Sequence, residues 1–389
     1  MALVPLSYNA RSLAVRWGST MLTVVSIGAT VAVVAGVLAL EQGFSTLFSS
    51  SGREDVAVLL RPGATNEGMS GITREKAEVM IKTLGEFAAD EQGRPLAAAE
   101  MYLAVRMRKL DGGETNVPIR GVQPMSFEIA GDGLRIREGR RFRQGTDEII
   151  VSDRLSRRIR GCVLGEVIRV NTTPFEVVGV FEADGPFGSE IWGDVDRVAD
   201  ALNRSVFNRV VGIVGEGVDI DEFAERLEDH DTVPALVQSE RAYLAAQTRS
   251  LSTILNVLGG FLAVIMGIAA VFTATNTMQA ALAARSHEIG ILLSLGFRPL
   301  PVFCSFMLEA LLLGLLGGVA GVLIALPLNG IETGATNFDS FTEVAFAFRL
   351  TPRVLASAVV FALGLGLCGG ALPAWRAARL DPVTALRRH

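Results

Sequence analysis

SLSTILNVLGGFLAVIMGIAAVFTATNTMQAALAA, residues 250–284, is a run of 35 residues without a charge. A helix needs roughly 20 apolar residues to cross a hydrocarbon core of about 30 Å, so this stretch is long enough to span a bilayer. Three more windows qualify on the same ground. Residues 17–40 are uncharged for 24, residues 299–331 hold only Glu309 in 33, and residues 354–375 are uncharged for 22. One window stands near the N-terminus and three crowd the last 140 residues, with a polar segment of 209 residues, 41–249, between them. The pattern predicts an integral membrane protein. It has four transmembrane α-helices in a 1+3 layout, with a large α+β extracytoplasmic domain inserted between helices 1 and 2.

Charge sets the orientation. The net charge of −5 divides into −9 for the insert (26 Lys+Arg against 35 Asp+Glu) and +4 for the rest (10 against 6). Lys and Arg of short loops stay on the cytoplasmic side. Arg11 and Arg16 precede the first window. Arg285 and Arg298 follow the second, and Arg376, Arg379, Arg387 and Arg388 follow the fourth. The loop between windows three and four is acidic, with Glu332, Asp339 and Glu343 against Arg349. Four crossings with both termini cytoplasmic satisfy every bias, and the insert then lies outside. On this topology Ser189 is expected to be reachable from outside and Ser286 only from within.

The expected segments are a cytoplasmic interfacial helix over 1–17, spans at 18–40, 251–281, 300–328 and 353–375, and an extracytoplasmic domain with stalk over 41–250. A coupling loop over 282–299, an outer loop over 329–352 and a cytoplasmic tail over 376–389 complete the chain. Leu3, Leu6, Ala10, Leu13 and Trp17 fall on one helical face, as suits a helix lying on the inner interface. A cleaved signal peptide is the rival reading, although its apolar core is usually 7–15 residues. Cys162 lies in the insert and Cys304 and Cys368 in spans, so no disulfide is expected within the outer domain. His230, His287 and His389 lack metal-ligand spacing, and no metal site is expected. No basic patch beside aromatic residues suggests nucleic acid.

The insert reads as mixed α and β. Strands are expected at 55–60, 101–110, 117–122, 148–152, 167–170, 175–181 and 210–214, and helices at 73–84, 153–159, 194–202 and 220–227. Asp111-Gly-Gly113 reads as a hairpin turn. Nothing resembles a nucleophile elbow, a paired-carboxylate site or a phosphate loop, so no enzyme is expected. Glu190 and Asp194 read as surface charges. Glu240, Arg241, Gln247 and Arg249 precede the second window without Gly or Pro until Gly259, which predicts one stiff helix from the outer domain into the membrane.

The segment from Asn276 to Phe297 combines Arg285, His287 and Glu288 with Ile289, Leu292 and Leu295 at helical spacing, beside Gly290 and Gly296. A short amphipathic helix of this kind suits docking into a groove of a cytoplasmic partner. The string resembles the coupling loop of MacB/FtsX-type ABC transporter permeases, with its R-x-x-E-I-G-I…G pattern. The tail Leu372-Pro-Ala-Trp-Arg-Ala-Ala-Arg-Leu-Asp-Pro-Val-Thr-Ala-Leu-Arg387 resembles the same family's C-terminal signature. Val117-Pro-Ile-Arg-Gly121, Glu176-Val-Val-Gly179 and Ile191-Trp192 resemble its periplasmic core domain. MacB carries its ATPase on the same polypeptide. This chain contains no G-x-x-x-x-G-K-[ST], and its lysines, Lys76, Lys82 and Lys109, all lie in the insert. The resemblance therefore implies a separate ATPase subunit, as in Lol- and DevC-like members, with ATP and Mg bound there and no cofactor in this chain.

The resemblance further implies a permease of the bacterial inner membrane that acts by mechanotransmission on a lipid, lipoprotein or amphiphilic cargo. Its implied partners are a pair of ABC ATPase subunits, a second permease copy or paralogue, an extracytoplasmic adaptor and membrane lipids. Ionisable groups within spans usually mark ion or substrate paths. Glu309 is the one here, read as hydrogen-bonding a neighbouring helix, with a proton relay as the alternative. Gly314, Gly317, Gly318 and Gly321 hold two overlapping G-x-x-x-G spacings, and Gly366 and Gly370 a third. Such spacings let helix backbones approach closely. Two other readings stand beside transport: an FtsX-like activator of cell-wall hydrolases, and a membrane receptor with an outer ligand-binding domain.

Overall fold

The computed structural model describes residue 15 and residues 17–49, 51–183, 185–295, 298–336 and 343–380. The expected interfacial helix before Trp17, the tail beyond Leu380, and Gly296 lie outside these residues. Among the described residues the chain forms two compact units. One comprises the chain up to Gly43, Thr253–Ile331 and the chain from Ala347 onward; the other comprises Phe44–Ser252 and Glu332–Phe346.

In chain order the helices are α1 (Trp17–Ser49), α2 (Arg74–Thr83), α3 (Pro124–Ala130), α4 (Asp153–Ser156), α5 (Val195–Leu202), α6 (Ile220–Glu228), α7 (Glu240–Ala284), α8 (Ser286–Ser294), α9 (Pro299–Ala325) and α10 (Pro352–Ala378). Four of them, α1, α7, α9 and α10, are long and apolar enough to cross a membrane. α1 continues past the uncharged window to Ser49, and α7 is a single helix from Glu240 onward. Proline opens α9 and α10, where its missing N–H costs nothing. At α10 the Thr351 hydroxyl also accepts from the Val354 N–H at 3.3 Å.

Glycine sets how closely the membrane helices pack. A Cβ at Gly317 would fall 2.6 Å from Ile27 Cβ, and one at Gly321 2.6 Å from Val31 Cβ, so this pair faces α1. Gly314 and Gly318 face α10 instead. A Cβ at Gly314 would fall 2.7 Å from the Ala362 carbonyl oxygen, and one at Gly318 2.9 Å from Ala362 Cβ. From the other side, a Cβ at Gly366 would meet the Ala310 oxygen at 2.5 Å, and one at Gly370 would meet Ala310 Cβ at 2.2 Å. The overlapping spacings on α9 thus serve two neighbours, one on each side. Hydroxyls add polar contacts: Thr23 and Thr277 share a 2.6 Å hydrogen bond between α1 and α7, and Thr275 donates to the Gly369 oxygen at 3.0 Å.

The outer unit is built on a mixed sheet. Its strands are β1 (Val56–Leu60), β2 (Ile72–Thr73), β3 (Ala97–Arg108), β4 (Glu114–Val122), β5 (Leu134–Gly139), β6 (Glu148–Ser152), β7 (Val167–Val170), β8 (Thr173–Ala183), β9 (Ile191–Asp194), β10 (Val206–Phe207), β11 (Arg209–Ile213) and β12 (Leu236–Ser239). The order across the main sheet is β12-β1-β11-β3-β4-β9-β6-β8-β5, with β7 paired to β8 and β2 to β10 in a separate ribbon. β3 and β4 form the hairpin read at Asp111-Gly-Gly113, with Arg108 opposite Glu114. β4 with β9 and β6 with β8 are parallel pairs.

Alternation along the strands gives the sheet two cores. Ile149, Val151, Phe175, Val177 and Ile191 pack on one face with α2, α5 and α6. Ile150, Phe181 and Trp192 pack on the other with Phe127. The helices start where the sequence supplies caps. Thr73 Oγ1 accepts from Lys76 N, and Asp194 Oδ1 accepts from Asp196 N and Arg197 N at 3.1 Å each.

Three expectations need correction. The helix expected over 153–159 stops at Ser156, because the following residues hydrogen-bond to the β3–β4 hairpin. Leu110 N donates to Arg158 O, and Arg160 N to Arg108 O. Glu190 and Asp194 are buried rather than surface charges, one in an ion cluster and the other as a cap. Ser189 is also buried, and its hydroxyl accepts from Ala345 N. That bond belongs to a further hairpin, β13 (Glu332–Thr336) and β14 (Glu343–Ala347), in the connection before α10.

Candidate functional site

Two places concentrate polar chemistry, one in each unit. In the membrane unit a single residue, Arg285, separates the end of α7 from α8. Its side chain turns inward. Arg285 Nη1 donates to Glu309 Oε2 at 3.2 Å, Nε lies 3.7 Å from Glu288 Oε2, and the guanidinium sits over the Phe306 ring. Glu309 is 2 % exposed, so its carboxylate and this guanidinium form a nearly dry pair between α9 and the start of α8. One partner of Glu309 is therefore the loop read as a coupling element. Arg285 in turn is an anchor for that loop rather than an outward docking charge.

Ile289 anchors the same helix from its apolar side, packing with Met278, Ala281, Val302 and Phe306, and Gly290 is buried beside it. His287 and Glu288 are exposed, as are Ile291 and Leu295. Positions 287/288, 291 and 295 repeat at helical spacing, so α8 shows an outward stripe that is polar at one end and apolar at the other. Leu292 lies within α8. The arrangement can offer a fixed helix face to a partner groove.

In the outer unit an ion cluster lies inside the sheet. Glu100 on β3 sits directly opposite Arg209 on β11, and Tyr102 opposite Arg120 on β4. Arg120 donates from Nε and Nη2 to the two oxygens of Glu190 at 2.7 and 2.8 Å. Its Nη1 reaches Glu67 at 2.8 Å and Glu100 at 3.1 Å. Arg209 binds Glu100 at 2.6 Å and Glu67 at 3.0 Å. Trp192 Nε1 donates to Glu190 Oε2 at 2.8 Å, and the Phe187 ring lies beneath both guanidinium groups. The neighbouring carboxylates hold the Arg120 guanidinium well above its usual range despite burial. The Glu100 carboxyl is held below its usual range by Arg209 and Arg120, against the opposing effect of burial.

The first turn of α7 closes this region. The Tyr243 hydroxyl accepts from Glu67 N at 3.1 Å, and Glu240 accepts from Arg53 N at 3.2 Å. Sequence reasoning missed Glu67, Glu100, Arg120, Glu190, Arg209 and Glu240 as a group. The available signal was a set of charges of both signs within otherwise apolar strands, such as Glu100 after Ala97-Ala-Ala and Arg120 after Val117-Pro-Ile. A lone charge on a buried strand calls for a partner.

The chain thus has a four-helix apolar unit, a short helix anchored to it, and an α+β outer unit that falls in sequence between the first and second apolar helices. The family model of the MacB-like periplasmic core domain matches residues 20–230, and that of the FtsX-like permease C-terminal region matches residues 260–382. The chain belongs to the MacB/FtsX family of ABC transporter permeases. As a permease of this family it is the membrane component of its transporter, and the four apolar helices make it a multi-pass membrane protein with an extracytoplasmic domain.

The permease is 27% identical to the pyoverdine export ATP-binding/permease protein PvdT of Pseudomonas fluorescens over 94% of this chain and 56% of that protein. It is 27% identical to the macrolide export ATP-binding/permease protein MacB of Hyphomonas neptunium over 97% of this chain and 59% of that protein. An uncharacterized ABC transporter permease of Bacillus subtilis, YknZ, is 27% identical over 70% of each chain. The permease thus spans a little over half the length of the two export proteins. Among solved structures, the periplasmic region of MacB from Actinobacillus actinomycetemcomitans aligns at TM-score 0.37 and 12% identity, covering 48% of this chain and 90% of that one. The extracellular domain of YknZ aligns at TM-score 0.35 and 16% identity, covering 47% and 98%.

Proposed function

We propose that the permease transmits ATP-driven motion from a separate cytoplasmic ATPase pair to its outer unit, and thereby exports or extracts an amphiphilic, lipid or lipoprotein cargo. The observation that carries the reading is the mounting of α8. Arg285 and Ile289 fasten it to the membrane unit, while His287, Glu288, Ile291 and Leu295 remain exposed on its surface. A force applied to that face acts directly on α7 and α9. The names of two relatives, macrolide export and pyoverdine export, favour small amphiphilic cargo and the outward direction. ATP and Mg belong to the ATPase in this reading. The permease works as a pair, with a second copy or a paralogue, in the bacterial inner membrane with both termini cytoplasmic. An outer adaptor protein and bilayer lipids complete the assembly.

Glu288→Lys tests the docking face. Glu288 is exposed and lies only at the margin of the Arg285–Glu309 pair, so the variant should insert and purify normally. Charge pairs at interfaces can be worth about 1.5–7 kcal/mol, so capture of the ATPase should fall at least about tenfold. ATPase co-purification and transport at wild-type levels would show that α8 is a connector and not the docking element.

A further inference from the structure

The residues after α4 form a short ribbon with the β3–β4 hairpin, and this ribbon is strongly basic. Lys109 lies opposite Ile159 in an antiparallel bridge, with Leu110 N donating to Arg158 O at 2.8 Å and Arg160 N to Arg108 O at 2.9 Å. Ile159 is 3 % exposed, so its face of the ribbon turns to the core. Side chains alternate along extended backbone, so Arg108, Leu110, Arg158 and Arg160 share the opposite face, with Arg106 two residues before Arg108. Arg106, Arg108, Leu110 and Arg160 are all exposed.

The charge of this face runs against its surroundings. Residues 106–114 and 157–160 carry six cations against Asp111 and Glu114, a net of +4 in an insert whose total is −9. Arg108 stands across from Arg160, and like charges facing each other between strands are destabilising. Glu114, opposite Arg108 on β4, is divided between Arg106 at 3.6 Å and Arg108 at 3.9 Å, and both arginine side chains stay about three-quarters exposed. Apolar side chains stand uncovered among the arginines. Leu110 is 56 % exposed, and Val163 and Leu164, in the loop that leaves Arg160, are 52 % and 43 % exposed.

We propose that this ribbon docks on an anionic lipid surface, its guanidinium groups on lipid phosphates and Leu110 entering the interface. Alternate residues of a strand lie about 7 Å apart and facing residues about 5 Å apart, so the arginines form a flat grid that suits many separate phosphates better than one small ligand. The guanidinium fork binds phosphate through two hydrogen bonds at once. Basic residues beside exposed aliphatic ones are the composition of segments that lie in a lipid interface. An acidic protein face fits less well. Residues 106–114 and 157–164 hold no aromatic side chain, whereas protein hot spots draw on Trp and Tyr as well as Arg. The surface is independent of the proposed coupling to an ATPase.

Vesicle flotation tests it, with the full-length chain in neutral phosphatidylcholine nanodiscs at about 0.15 M salt and without ATPase or nucleotide. The vesicles are phosphatidylcholine alone or phosphatidylcholine with one-third phosphatidylglycerol. The anionic vesicles should carry the permease upward, and the neutral ones should not. Arg106→Gln, Arg108→Gln and Arg160→Gln combined should weaken binding to the anionic vesicles at least about tenfold. Leu110→Ser should weaken it at least about threefold. All four positions are exposed, so an unchanged thermal transition confirms the fold. Arginines elsewhere in the chain are common to every variant, and the difference therefore reports the ribbon. Equal recruitment by neutral vesicles, no recruitment by anionic ones, or undiminished binding of either variant would overturn the proposal. So would displacement of the vesicles by soluble polyglutamate at equal charge, which would assign the ribbon to an acidic protein. Each of these results would leave the docking role of α8 untouched.

Discussion

At the residue scale the outer unit depends on charges that cannot be removed singly. Arg120 is shared by three carboxylates, and every member of that group is buried. A buried ion pair adds little net stability over an apolar replacement, but deleting one partner leaves an uncompensated charge and costs about 3–5 kcal/mol. Arg120→Met should therefore lower the thermal transition of the purified permease sharply. Arg120→Met combined with Glu190→Gln should recover part of the loss, since one stranded carboxylate is then removed. A single variant as stable as wild type would show that the cluster rearranges freely. This group was hidden in the sequence because its members lie far apart, from Glu67 to Glu240, and only the register of β3, β4 and β11 brings them together. The docking helix was legible in contrast, because its residues are contiguous. Even there, the inward turn of Arg285 depends on Glu309, which lies one helix further along the chain.

At the level of elements, glycine decides which helices touch. Gly366 and Gly364 are two residues apart on α10, yet a Cβ at Gly364 meets nothing within 4 Å whereas one at Gly366 strikes the Ala310 oxygen at 2.5 Å. Gly366→Ala should thus destabilise the α9–α10 pair by about 1–3 kcal/mol, the usual cost of overpacking. Gly364→Ala should be neutral or slightly stabilising, because Ala is the better helix former. Detergent-solubilised thermal aggregation followed by size exclusion compares them, and equal melting of the two variants would refute the close approach. The spacing of these glycines was readable in advance. Their division between two partners was not, since positions three residues apart on α9 point to different neighbours and only tertiary structure says which. The first span, expected to end at residue 40, was read short. Charge marks where an apolar window ends, whereas helical backbone bonding does not require apolar side chains, and α1 continues through Glu41 to Ser49.

For the whole molecule, the 1+3 layout was legible because each span is a long contiguous signal, whereas the outer sheet pairs strands across the insert and resisted reading beyond its hairpins. Orientation rests on the arginines of the short loops, and labelling checks it. Cys162 is buried and its thiol is pushed up to about 12 by desolvation, so it should not react, but replacing all three cysteines removes doubt about Cys304 and Cys368. Glu91→Cys, in an exposed turn, should then label with an impermeant maleimide in intact cells, and Ser286→Cys only after the cells are opened. Labelling of Ser286→Cys in intact cells would refute the four-span orientation. The outer unit also has a consequence for biosynthesis. Its last piece, Glu332–Phe346, follows Ser252 by about 80 residues, the third apolar helix included. At the usual 5–20 residues per second, a ribosome needs roughly 4–16 s to add them. During that interval Ser189 has no Ala345 N–H to accept from, and Phe44 lacks the Phe346 ring that will cover it. The exported domain therefore waits, nearly finished, on the synthesis and insertion of a later membrane helix. Any factor that guards nascent extracytoplasmic surfaces has its window there.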